Sequence, residues 1–150
     1  MSGLGAVEML LVEDNPQDRE LALRALRKAN LLDRVHLARD GAEALAAVFG
    51  DETGAPPKLP ESLRVILLDL KLPKINGLEV LRRLKSDPRT CSIPVVVLTS
   101  SKERRDILES YQLGVNSYIV KPVNFERFSE VVQELGLYWL RRNQPPQGTD

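Results

Sequence analysis

Three short apolar runs, Met9–Val12, Val65–Leu68 and Val95–Leu98, punctuate the chain, and Val115–Val120 reads as the last strand. Each is too short for an independent helix and rich enough in branched side chains for a buried strand. Between Val35 and Leu37 apolar and polar positions alternate around His36, the pattern of a strand wetted on one face. Helical stripes separate these strands. Leu21, Ala22, Ala25, Leu26 and Ala29 recur at 3.6-residue spacing behind Asn15-Pro16, a cap followed by a proline at the first helical position. Asp40-Gly41 opens a second helix through Ala44, Leu45 and Val48, and Leu78, Leu81 and Leu84 mark a third that Asp87-Pro88 stops. A charged helix of about residues 102–113 ends at Gly114, and Phe128, Val131, Val132 and Leu135 define the last.

Strict alternation of strand and helix predicts an α/β fold with helices on both faces of a parallel sheet. The fully apolar runs belong at its centre and the alternating strand at an edge. Right-handed crossovers with one reversal of winding give a doubly wound, five-stranded, flavodoxin-like sheet in the order 2-1-3-4-5. At 150 residues the chain suits one domain, with a core at about 8–140 and a tail at 141–150. Residues 50–62, with three prolines and two glycines, form a long loop: a recognition element or a mobile tether.

Charge narrows the function. Lys and Arg number 21, Asp and Glu also 21, and the pI is near 6.6, which argues against a nucleic-acid binder that blankets phosphates with positive charge. No apolar stretch reaches the roughly 20 residues of a membrane span, no signal segment opens the chain, and a cytoplasmic location is expected. One cysteine, Cys91, and one histidine, His36, exclude Cys- or His-rich metal sites. Chemistry must rest on carboxylates, hydroxyls and lysines.

Ligands of open parallel sheets bind beyond the carboxyl ends of the strands, where the winding reverses. Glu13 and Asp14 leave the first strand there, Asp69 the third, Thr99 the fourth and Lys121 the fifth. Taken singly, each has an ordinary role: Asp14 or Thr99 capping a helix, Asp69 starting a turn, Lys121 solvated. As a set they need a cation, because two carboxylates about 4 Å apart repel by roughly 4 kcal/mol at an effective dielectric near 20. Mg²⁺, hard and oxygen-seeking, meets the need with Asp14 and with Glu13 through water, and Lys121 offsets part of the remaining charge. A carboxylate beside Mg²⁺, an ammonium and a hydroxyl is suited to attack phosphorus and form an acyl phosphate. Asp69 stands at the centre of the rim as the nucleophile, with Thr99 placed to hydrogen-bond a phosphoryl oxygen.

The acidic pair Glu13-Asp14, the aspartate of DLKLPKINGLEVL with Pro73 and Gly77, Thr99 of VVVLTSS and Lys121-Pro122 follow one another on the appropriate elements. From about Glu8 to Leu140 the chain resembles the receiver domain of two-component response regulators. The resemblance implies that Asp69 accepts a phosphoryl group from a histidine kinase. It places Asp14, Asp69 and the backbone carbonyl of Lys71 around Mg²⁺, and makes Thr99 and Tyr118 a switch pair in which the ring turns inward behind the threonine. It also implies a cis peptide at Lys121-Pro122. DPRTCSIPVVVLTSS, GVNSYIVKP and the closing YWL look like single-domain regulators paired with bacterial phytochrome kinases. Relatives of that type dimerise through the face of the fourth helix, fifth strand and fifth helix, and Leu137, Trp139 and Leu140 supply apolar surface for such a contact or cover the bottom of the sheet.

This reading gives a signalling switch with no output domain of its own and no separate enzymatic product stream. A Mg²⁺-dependent phosphohydrolase forming a similar aspartyl phosphate is the competing class. Such enzymes present a second acid two residues after the nucleophile, where this chain has Lys71. A nucleotide- or flavin-binding module is a third, weakened because Asn15-Pro16 stands where a glycine-rich phosphate loop would be. Leu72, in place of the methionine common in the family, is a near-isosteric departure.

Overall fold

The computed structural model describes residues 6–59 and 63–146. Along the chain run β1 (Met9–Val12), α1 (Pro16–Lys28), a single 3₁₀ turn (Leu32–Arg34), β2 (Val35–Ala38), α2 (Gly41–Phe49), β3 (Val65–Leu68), α3 (Gly77–Ser86), β4 (Val95–Thr99), α4 (Arg104–Gln112), β5 (Ser117–Val120), α5 (Phe125–Leu137) and a π-helical turn (Tyr138–Arg142). All strands are parallel and stand in the order β2-β1-β3-β4-β5, as expected. The reversal of winding lies between β1 and β3, which pair in register from Met9 opposite Val65 to Val12 opposite Leu68.

Burial follows the period of two. Leu10, Val12, Ile66, Leu68, Val95 and Val97 point to one face, against Ala44 and Leu45 of α2 and Val80, Leu81 and Leu84 of α3. Met9, Leu11, Val65, Leu67, Val96 and Leu98 point to the other, against Ala22, Ala25 and Leu26 of α1 and Phe128 and Val132 of α5. Four helices start where short polar side chains can close the first turn: Asn15, Asp40, Asn76 and Asn124 each accept a backbone N–H three residues on. These caps fix where the chain turns over the carboxyl ends of the strands.

Several expectations change. Leu140 is buried with Met9, Leu26 and Leu31, and Trp139 packs partly against the same core, so these two cover the sheet, while Leu137 and Tyr138 remain exposed. The loop after α2 is tied down where it is described: Lys58 and Leu59 both donate backbone N–H groups to the Ala47 carbonyl, and Leu59 packs on the core. The remainder of that loop, 60–62, lies outside the described residues, as do 147–150 of the expected tail. Lys121-Pro122 is trans, as are all peptide bonds among the described residues. Trans is the favoured isomer of an X–Pro bond by about 0.5–1 kcal/mol, and here the lysine is aimed by a ladder bond instead: its N–H donates to the Thr99 carbonyl at 2.7 Å. Among the described residues no helix is long and apolar enough to cross a membrane.

Candidate functional site

The carboxyl ends of β1, β3, β4 and β5 deliver Glu13, Asp69, Thr99 and Lys121 to one rim, with Asp14 beside Glu13. One carboxylate oxygen from each of Glu13, Asp14 and Asp69 lies within 4.8 Å of the others. Glu13 and Asp69 are buried and Asp14 is partly open to solvent. Lys121, its side chain 9% exposed, places its ammonium 2.8 Å from Glu13 and 2.9 Å from Asp69.

The ordinary roles of these residues can now be compared with the geometry. Asp14 does not cap α1; Asn15 does, accepting the Asp18 N–H at 2.9 Å. Thr99 does not cap α4, whose cap position is Glu103, and its buried hydroxyl accepts only a long bond of 3.4 Å from the Ser101 N–H. Lys121 is not solvated. Asp69 does start a turn, since Oδ1 accepts the Lys71 N–H at 3.2 Å, and that bond holds the carboxylate while Oδ2 faces Lys121. The side chain of Lys71 is exposed.

Tight backbone crossings hold the turn after Asp69. The Gly77 N–H donates to the Leu70 carbonyl at 2.9 Å, and a Cβ on Gly77 would collide with the Asp69 carbonyl and Leu70 Cα. Gly41, at the start of α2, meets the Ile75 carbonyl in the same way. Lys74 adopts a left-handed backbone (φ 68°) and its ammonium lies 3.3 Å from Asp40, the buried cap of α2.

One residue of the site has no counterpart in the sequence reading. Asp18, in the first turn of α1, lies 2.8 Å from the Lys121 ammonium. Its signal in the sequence is its place one helical turn beyond Asp14, on the end of α1 that faces the rim. Glu13 bonds Lys121 directly, and its second oxygen accepts the Asn15 N–H at 3.1 Å.

The electrostatics show an excess of negative charge. Burial, then the neighbouring Asp69 charge, pushes the Glu13 carboxyl up to about 7 against the pull of Lys121. For Lys121, burial works against the charged form, but bonds to Asp18 and Glu13 and the charge of Asp69 outweigh it and hold the ammonium above its ordinary value. Glu13, Asp18 and Asp69 thus share one ammonium. Glu13, Asp14 and Asp69 present oxygens close enough to converge on a hard divalent ion, and the Glu13 shift reflects its burial first and the Asp69 charge second.

Beyond the rim, Tyr118 of β5 packs partly against the core and its hydroxyl donates to the Ser101 carbonyl at 3.0 Å. Burial raises its ionisation above the usual phenol value, opposed by that hydrogen bond and reinforced by Asp106 and Asp69. Ser101 in turn donates to Asp106 at 2.6 Å and accepts the Glu103 N–H. The segment that follows Thr99 is therefore bonded to both α4 and Tyr118.

Comparison with known proteins agrees with this architecture. The chain is 42% identical over 138 residues to the probable methanogenesis regulatory protein FilR2 of Methanothrix harundinacea, covering 92% of this chain and 86% of that protein. It is 39% identical over 132 residues to response regulator Rcp1 of Synechocystis sp., covering 88% of each. The solved Mn²⁺-bound form of Rcp1 superposes with a TM-score of 0.80 at 37% identity, covering 93% of this chain and 98% of that one. The phosphorylated cyanobacterial phytochrome response regulator RcpA superposes with a TM-score of 0.82 at 38% identity, covering 95% and 100%. Residues 9–133 match the model of the family described as the response regulator receiver domain, and with the sheet order and acidic rim above, the chain belongs to that family of two-component signalling proteins.

Proposed function

We propose that this protein is a phosphorylation-driven switch in which Asp69 accepts a phosphoryl group from a histidine kinase. The observation that carries the reading is the convergence of Glu13, Asp14 and Asp69 within 4.8 Å, with the Lys121 ammonium 2.9 Å from Asp69. A carboxylate oxygen of Asp69 attacks phosphorus, the P–N bond to the kinase imidazole breaks, and that nitrogen keeps the electron pair. The product is an acyl phosphate on Asp69. Lys121 offsets negative charge building on the transferring group, and the Lys71 N–H keeps the Asp69 carboxylate oriented.

Asp14 and Asp69, with Glu13 and the backbone carbonyl of Lys71, would hold Mg²⁺, which supplies Lewis-acid stabilisation of the phosphoryl oxygens when bound. Support for a divalent ion comes from the donor set itself and from the Mn²⁺-bound form of Rcp1. Thr99 and Tyr118 serve as the switch. The threonine hydroxyl tracks a phosphoryl oxygen, and the Ser101 carbonyl passes the movement of that segment to the Tyr118 hydroxyl. The kinase is of the bacteriophytochrome class, by similarity to RcpA and to the bacteriophytochrome response regulator AtBRR, and the switch works in the cytoplasm.

Acetyl phosphate with Mg²⁺ provides the test. Intact mass should rise by one phosphoryl group in the wild type and not in Asp69→Asn; no adduct in the wild type with any donor defeats the reading. Rapid turnover of phosphomonoesters would favour the hydrolase, against which Lys71 stands two residues after Asp69.

A homodimer through the α4-β5-α5 face is the second part of the proposal. Among the described residues the exposed large apolar side chains are Leu108 and Tyr111 of α4, Val123 and Phe125 at the β5–α5 connection, and Leu137 and Tyr138 at the end of α5. Sedimentation of Leu108→Lys with Tyr111→Lys should shift toward monomer, and an unchanged species would remove the dimer. Truncation before Leu137 is the poorer test, because it also strips Leu140 from the core.

A further inference from the structure

An ammonium has three protons to donate, and on Lys121 all three have carboxylate partners: Glu13 at 2.8 Å, Asp18 at 2.8 Å and Asp69 at 2.9 Å. A phosphoryl group arriving on Asp69 can receive a bond from Lys121 only if one of these is given up. The three are unequal in what release would cost. Glu13 is buried, its side chain 5% exposed, and would be left as an unpaired interior charge. Asp69, 7% exposed, is the reacting group. Asp18 is 30% exposed on the first turn of α1, where water can take the place of the ammonium. Both stems are anchored, Asp18 by its N–H to Asn15 Oδ1 and Lys121 by its N–H to the Thr99 carbonyl, so the exchange needs only the side-chain ends to move.

We propose that Asp18 is a positioning residue that holds Lys121 while Asp69 is unmodified and is exchanged for a phosphoryl oxygen when Asp69 is loaded. The inference rests on the reading of Asp69 as phosphoryl acceptor. Asp18 itself makes and breaks no covalent bond. The hydrogen bond from Nζ to Asp18 gives way to one from Nζ to a phosphoryl oxygen, and the released carboxylate is rehydrated. Asp18 therefore competes with the phosphoryl group for the ammonium and weakens the loaded state.

The test is titration of beryllofluoride, a phosphoryl analogue that bonds to the carboxylate, into the whole chain with Mg²⁺, followed by ¹⁹F resonance. Asp18→Ala should bind about five-fold more tightly than wild type, the scale of one partly exposed ion pair, and Asp18→Glu should return the affinity toward wild type. The gain should vanish in a Lys121→Met background. It should also persist between about 0.05 and about 0.5 M NaCl, where an effect of charge at a distance is screened. Unchanged or weaker binding by Asp18→Ala, while wild type binds, overturns the exchange. So does a gain that survives Lys121→Met or fades with salt. Absence of binding by wild type overturns the acceptor role of Asp69, and the exchange with it.

Discussion

Two lysines with little exposure stand at opposite ends of the sheet and keep different company. Lys121, beyond the carboxyl end of β5, bonds three carboxylates and is held above its ordinary ionisation. Lys85, at the other end, donates to the carbonyls of Cys91 and Ile93 and to Asn116 Oδ1, at 3.1, 2.9 and 2.9 Å, and burial lowers its ionisation. Asn116 Oδ1 also accepts the Val95 N–H at 2.8 Å, so Lys85 ties the end of α3 to the start of β4 and the turn before β5. Its partners are neutral and already in place; they close loops. The partners of Lys121 repel one another and are satisfied only while a cation stays among them. Geometry alike in donor count thus serves as a staple at one end and as a poised charge centre at the other.

Removing each ammonium should separate the two roles. Lys121→Met leaves Glu13 and Asp69 facing each other buried and should cost about 3–5 kcal/mol in urea unfolding without metal, part of it recovered on adding Mg²⁺. Phosphoryl uptake from acetyl phosphate should fall by at least about a hundred-fold in the same variant. Lys85→Met should cost about 1–3 kcal/mol for the acceptors left unpaired, with no recovery by Mg²⁺ and uptake unchanged. If Lys85→Met altered metal affinity, the division between the ends would fail.

A pH profile sharpens the contrast. Glu13 titrates at about 7 in the folded protein against an ordinary 4.5, so the folded state binds this proton more tightly than the unfolded one. Its contribution to stability is complete below about 4.5 and is lost as pH rises through about 7. Melting in EDTA should therefore show a lower Tm at about pH 8 than at about pH 5.5, a difference that shrinks in Glu13→Gln and with saturating Mg²⁺. Equal slopes in wild type and Glu13→Gln would place the uncompensated charge elsewhere. Smallest of all, Leu72→Met, which restores a side chain common in the family, should change stability by less than about 1.5 kcal/mol in the same unfolding assay and leave uptake intact.

The fold was legible in the sequence because its signals are local: three strands apolar throughout, helix starts at Asn15 and Asp40, and strict alternation of strand and helix. The residues gathered at the rim followed from topology, since parallel strands must end on the same side. What escaped depends on contacts between distant segments. Asp18 reaches Lys121 because α1 packs beside α5 on one face of the sheet, and its place one helical turn beyond Asp14 points to the rim without reporting which partner it meets there. Leu140 lay beyond the periodic stripe of the last helix, and a π-helical turn at Tyr138–Arg142 resets the phase so that it points inward. The loop after Phe49 read by composition as a recognition element or a mobile tether, whereas two N–H groups on the Ala47 carbonyl secure its described part.

The crossings at Gly41 and Gly77 carry a consequence for variation. Neither position bears a functional group, yet each lies under a carbonyl of the Asp69–Asn76 stretch with no space for even a methyl. In a saturation library scored for signalling, substitutions at these two helix starts should be lost as completely as those at Asp69. Inheritance along this lineage is then constrained at its hinges by what must be missing from a side chain, as firmly as by any charge it must supply.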